Sequence, residues 1–180
     1  MKKIFMAIVG IAFFSGSFAQ KNEDSKFHFS VGGELGFATG TLNNSHSVGI
    51  GGTAQAEYNV APNTNVTLTA GVISYAGKSY ISGTKYNATT IIPVRGGIKY
   101  FFAGGLYGAA QLGLGFFNNY VDDRGVIYGA STAVAYSPVI GYEFNVNSGK
   151  AFDVAFKYDG YATQSNAFGS VGFRVAYKFK

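Results

Sequence analysis

The chain has 180 residues and no Cys, which excludes disulfide and thiolate chemistry. Charged residues make up 13% of it, against about 25% in an ordinary soluble domain, while aromatics reach 17% and Gly numbers 26. Beyond the N-terminus no stretch approaches the ~20 consecutive apolar residues of a membrane helix, and the basic residues do not cluster into a nucleic-acid footprint.

The first element is MKKIFMAIVGIAFFSGSFAQ. Lys2 and Lys3 are followed by an apolar run, Ile4–Phe14, too short to span a bilayer, and by Ser17-Phe18-Ala19. This is the layout of a secretory signal peptide over 1–19, cut after Ala19. With no Cys after the cut, lipoprotein anchoring is excluded. The mature chain keeps twelve Lys and Arg against nine Asp and Glu, a mild net +3. Residues 20–26 (QKNEDSK) read as a short, polar, flexible segment on the periplasmic side.

Eight segments with a two-residue period follow, predicted as strands over 27–38, 48–60, 65–75, 89–102, 106–117, 130–145, 151–159 and 170–180. In the first, Phe27, Phe29, Val31, Leu35 and Phe37 share a face; in the last, Val171, Phe173, Val175, Tyr177 and Phe179 do. Pro93 and Pro138 each remove a ladder donor, so a bulge or irregularity is expected there. The connections alternate. Short ones are 61–64, 103–105 and 146–150; long ones are 39–47, 76–88, 118–129 and 160–167. Short turns at one end, long loops at the other and an even strand count make the plan of an outer-membrane barrel.

Ten charged residues lie within the segments: Glu34, Glu57, Arg95, Lys99, Glu143, Asp153, Lys157, Asp159, Arg174 and Lys178. All fall on the face opposite the large apolar side chains, among Gly, Ala, Ser, Thr and Gln. Volume decides which face is inside. An eight-stranded barrel has room within only for side chains that just fill it. Some thirty large apolar side chains do not fit there; small residues and ten charges do. The apolar face is therefore outside, against lipid, and a soluble barrel of lipocalin type is disfavoured. Aromatics also gather near both ends of the segments, as headgroup-level girdles do. Phe27, Tyr58, Tyr100, Phe102, Tyr142, Phe144, Phe152, Tyr177 and Phe179 form one band; Phe37, Tyr75, Phe116, Tyr128, Tyr136, Tyr158 and Phe168 form the other. Lipid offers no hydrogen bonds to an open sheet edge, so the first and eighth segments must pair. The fold class is all-β, an eight-stranded antiparallel up-and-down transmembrane barrel over 27–180.

The signal peptide, the eight segments and the aromatic last strand resemble the small outer-membrane barrels of Gram-negative bacteria, the OmpX-like proteins and the transmembrane domain of OmpA. The family ends on polar-x-Gly-x-x-hydrophobic-x-aromatic. Ser170, Gly172, Val175 and Tyr177 match it, followed by Phe179; Lys180 after the last aromatic departs from it. The resemblance implies an outer-membrane location, lipid as surroundings, and reading of this segment by the barrel-assembly machinery. It does not choose among the adhesion factors, anchors, narrow channels and lipid-modifying enzymes built on this fold.

Within the lumen, Glu34, Glu57, Arg95, Lys99, Glu143, Asp153, Lys157, Arg174 and Lys178 are expected to form a charge network. Counting from the turns sets Glu143 opposite Asp153, Asp153 opposite Arg174, and Glu34 near Arg174. Such a network plugs the barrel by pairing; the other reading is a narrow, porin-like path for ions or small polar solutes. His28 and Ser30 have the H-x-S spacing of lipid A deacylases, but their parity points them inward, away from lipid, with no matched acid. His46 reads as a solvated loop residue, and Asp122-Asp123-Arg124-Gly125 as a solvated turn rather than a calcium loop. With two His and no Cys, neither a transition-metal site nor any other cofactor is expected. The four long loops are rich in Tyr, Ser, Gly and Asn. That suits adaptable contacts to an extracellular protein or matrix as well as it suits plain solvation. The function expected is that of a non-enzymatic, monomeric surface barrel whose loops meet partners. A narrow channel is the first alternative and a lipid-modifying enzyme the second.

Overall fold

The computed structural model describes residues 26–81, 84–118, 120–121, 127–128, 131–147, 150–163 and 167–179. The signal-peptide segment, residues 20–25, the 122–125 turn, the Tyr128 side chain and Lys180 lie outside the described residues.

Eight long strands carry the fold: β1 Phe27–Gly40, β2 His46–Ala61, β3 Thr64–Gly77, β4 Thr89–Ala103, β5 Leu106–Phe117, β6 Ser131–Asn147, β7 Lys150–Ala162 and β8 Ala167–Phe179. Each pairs antiparallel with its neighbours in sequence, and β8 closes onto β1 from Phe29↔Phe179 to Gly40↔Phe168. The result is a closed up-and-down barrel with no free edge, the only sheet arrangement in which lipid leaves no ladder group unpaired. Strands of 12 to 17 residues exceed the roughly 9–11 that a tilted strand needs to cross the hydrocarbon.

The two ends differ. At one, here the turn end, the connections are short: the two-residue turns 62–63 and 104–105, and the two residues between Asn147 and Lys150. Pro62 presets the first of these, and Asn63 takes the left-handed backbone (φ 60°) that follows. Gly104 does the same (φ 55°) in the second, where a side chain would be strained. At the other, the loop end, a one-turn helix α1 (Leu42–Ser45) joins β1 to β2. Two small hairpins, Ser79–Ile81 with Thr84–Lys85 and Tyr120–Val121 with Ile127–Tyr128, stand in the next two loops.

The strands run further at the loop end than periodicity suggests. The connection expected over 160–167 is only 163–166, because Gly160, Tyr161 and Ala162 continue β7 in register with β8. Nor does either proline make a bulge. The β3–β4 register is the same on both sides of Pro93, and the β6–β7 register the same on both sides of Pro138. Each missing N–H interrupts the ladder with one neighbour, while the proline stays paired with β5 (Pro93↔Gly115, Pro138↔Ala110).

Outside, thirty-one large aliphatic and aromatic side chains of the described residues stand exposed, with Ile50 at 69% and Leu112 at 64%. A soluble protein does not expose a continuous apolar surface of this kind. The ten charged residues from Glu34 to Lys178 named above all point the other way and are buried. Rings pair around the turn end: Phe27–Phe29 at 4.5 Å, Tyr142–Phe144 at 4.6 Å and Tyr177–Phe179 at 4.9 Å between centroids. Two members of the expected loop-end band are not in it. Tyr75 and Phe168 are inside the barrel, because both are out of step with the lipid-facing residues of their strands.

Candidate functional site

The interior has two tiers. The turn-end tier centres on Lys99, whose ammonium reaches across the lumen to three other strands. It lies 3.0 Å from Glu57 on β2, 3.1 Å from Asp153 on β7, and in direct contact with Glu143 on β6. Lys178 on β8 bridges Glu57 (3.1 Å) and Glu143 (3.0 Å). The remaining carboxylate capacity is taken up by neutral donors: Gln55 and Asn65 donate to Glu57 at 2.8 and 2.9 Å, and the Tyr107 hydroxyl donates to Asp153 at 2.8 Å. The Tyr107 ring also lies 3.9 Å beneath the Lys99 ammonium.

Nearer the loop end, Arg95 and Lys157 both bind Asp159, the latter at 3.0 Å, and Lys157 also holds Glu34. Arg174 joins the two groups. It stands 3.8 Å from Asp153 and 4.0 Å from Glu34, and donates to Thr53 (3.0 Å) and Ser30 (2.9 Å). The interior thus holds five carboxylates and five cations, all at most 7% exposed, with no net charge. Unpaired, each would cost several kcal/mol in such surroundings.

Glu143 faces Asp153 and Glu34 faces Arg174 in the ladders. Arg174 does not face Asp153, however. Its partner is Ala155, and Asp153 pairs with Ala176. The β7–β8 connection, 163–166 rather than 160–167, is centred one residue later, so each β7 residue meets a β8 residue two positions further along. The contact with Asp153 is therefore diagonal.

Glu57, Glu143 and Asp153 offer three oxygens close enough together to hold a cation. Lys99 already occupies the space between them, so the donor set suits an ammonium rather than a metal ion. Among the charged side chains lies a cavity of about 20 Å³ lined by residues including Glu34, Thr67, Lys99, Gln111, Lys157 and Arg174. That is room for about one water molecule, whereas small-molecule sites run to hundreds of Å³.

The loop-end tier is apolar. Ile73, Tyr75, Ile91, Phe117, Tyr161 and Phe168 fill the barrel, with Leu42 of α1 above them. Phe117 meets Tyr161 and Phe168 edge-on at 5.4 and 5.0 Å, and Tyr161 stacks on Phe168 at 5.6 Å. The Tyr75 ring lies where a Cβ on Gly49 would come within 2.5 Å of it, and its hydroxyl is 2.6 Å from Ser170 Oγ. Sequence reading missed this tier. Parity alone carries the signal, since all six side chains are out of step with the lipid face.

Ser30 is buried against Arg174, and His28 is half-buried beside it in sequence, facing Glu57 in the ladder. His46 is not solvated. It is 1% exposed, with Nδ1 2.7 Å from Ser45 Oγ and Nε2 2.8 Å from Thr89 Oγ1 and 3.1 Å from the Asn87 carbonyl. Of the segment resembling the insertion signal, Val175 and Phe179 face outward and Tyr177 is half-buried between Phe152 and Phe179. Gly172 faces inward, where a Cβ would come within 2.4 Å of the Leu35 carbonyl.

No protein-family model matches the sequence, and no curated protein matches it. Solved structures do. Neisserial surface protein A superposes with a TM-score of 0.61 at 12% identity, covering 87% of this chain and 97% of that one. Ail, the attachment invasion locus protein of Yersinia pestis, solved in complex with the heparin analogue sucrose octasulfate, gives 0.56 at 13% identity over 85% of this chain and 97% of Ail. OprG of Pseudomonas aeruginosa gives 0.50 at 13% identity over 85% and 95%. A closed eight-stranded barrel with an apolar exterior, superposable on these proteins over most of its length, has the fold of the small outer-membrane barrels of Gram-negative bacteria.

Proposed function

We propose that this protein is a non-enzymatic, monomeric barrel of the Gram-negative outer membrane that is closed to solutes and acts through its loops. The turn end and N-terminus face the periplasm, and the connections from β1 to β2, β3 to β4, β5 to β6 and β7 to β8 face outward. The observation that carries this reading is the occupied lumen: five charges of each sign neutralise one another across it, and the cavity among them has room for about one water molecule. A conducting path needs a continuous wet channel, which this packing opposes. Against catalysis, every carboxylate of the described residues is held by a cation, and Ser30 lies in the lumen rather than toward lipid. Gly172, Val175, Tyr177 and Phe179 serve as the insertion signal read by the assembly machinery.

Sulfated glycan is the first ligand class to test for the loops, because Ail was solved with a heparin analogue. The test pairs planar-bilayer conductance of purified protein with cell or heparin binding before and after deletion of the loop tips. Silence in the bilayer with binding lost on deletion supports the reading. Steady conductance that changes on substitution of Arg95 or Arg174 would replace it with the channel.

A further inference from the structure

Loop-end residues form a device that lipid packing does not require. α1 stands at the barrel mouth with Leu42 seated on the apolar tier, and three sets of contacts hold it. Thr41 Oγ1 donates to the Ala167 carbonyl at 2.8 Å. Lys78 donates from its backbone to Ser45 O (2.8 Å) and from its ammonium to Asn43 Oδ1 (2.8 Å). The third set runs through His46, which links Ser45 on α1 to Asn87 and Thr89 on the far side of the 78–88 connection.

We propose that His46 is a latch that holds α1 over the barrel mouth while its ring is neutral and releases it on protonation. The Asn87 carbonyl can only accept, so the neutral ring carries its proton on Nε2. Nδ1 is then the acceptor for the Ser45 hydroxyl, and both ring nitrogens are satisfied. A second proton on Nδ1 turns that acceptor into a donor and puts a full charge in a buried site. Among the described residues, the elements packed around it bring no carboxylate. Lys78 and Tyr86 on the connection and Tyr75 on β3 are the titratable side chains there, and Lys78 has the same sign. The five carboxylates of the described residues are all engaged inside the lumen. The latch is therefore intact above histidine's ordinary value of about 6.5 and loosens as pH falls below it, because only the open state takes up the proton freely. Opening uncovers Leu42 and the aromatic tier. This goes beyond the reading of the loops as a contact surface and holds whatever they bind.

The absence of Cys makes the test direct. Spin labels on Asn44→Cys in α1 and Val134→Cys on the barrel wall report the distance between lid and wall in nanodiscs. One narrow distance is expected at about pH 7.5 and a second, displaced population at about pH 5, either side of the histidine value. His46→Gln can keep both hydrogen bonds but cannot titrate, so its distances should be the same at both pH values. Wild-type distances that do not change on acidification, or a His46→Gln variant that shifts as the wild type does, would overturn the latch.

Discussion

At the turn end Lys99 gathers carboxylates from three other strands; at the loop end Phe117, Tyr161 and Phe168 pack ring against ring. Both tiers use the same inward parity, yet they do different work. Apolar side chains removed from water stabilise by about 25 cal/mol per Å², and pairs of rings add to that. Buried ion pairs roughly break even against apolar filler, but removing one partner is expensive. The loop-end tier is thus a small core that stabilises outright. The turn-end tier adds little net stability but fixes register, since slipping one strand by two residues would part Lys99 or Lys178 from partners on other strands. A slip by one would turn the charges into lipid.

The sharpest way to break this contrast is Lys99→Ala, which leaves Glu57, Glu143 and Asp153 facing one another with only Lys178 and Arg174 near. A loss of about 3–5 kcal/mol is expected from urea unfolding in micelles. Next comes the lipid side. Leu112→Arg near the middle of β5 should cost about 2–4 kcal/mol in vesicles, with little effect in the unfolded state. In the apolar tier, Ile73→Val removes one methylene and should cost about 1 kcal/mol at about pH 7.5. The smallest effect is expected from Arg95→Met combined with Asp159→Leu. Lys157 keeps Glu34, no charge is orphaned, and stability should stay within about 1 kcal/mol of wild type or rise. A large loss in that double variant would mean that the ion pairs stabilise outright.

Much of the barrel is legible because a two-residue period separates two solvents. Ten charges fall out of step with the apolar residues of their strands, and volume decides which face is inside. What the sequence obscures is position along the axis. Tyr75 and Phe168 sit near strand ends and resemble girdle residues, but their parity sends them inward. His46 lies within the polar run NNSHS, and nothing local shows that α1 and Asn87 will bury it. The Asp153–Arg174 pairing is off by two residues because Gly160 to Ala162 look like loop and are strand. Whether the loops bind a partner depends on surfaces that periodicity does not describe.

The central claim, that the aromatic and aliphatic face meets lipid and the charged face is enclosed, is tested most directly along β5. Single cysteines introduced from Gln111 to Gly115 and spin-labelled in nanodiscs report collision with oxygen, which partitions into lipid, and with a polar nickel chelate, which does not. Residues 112 and 114 should show high oxygen and low nickel accessibility, with the residues between them shielded from both. Lipid exposure at 111, 113 and 115, or no alternation at all, would contradict the account.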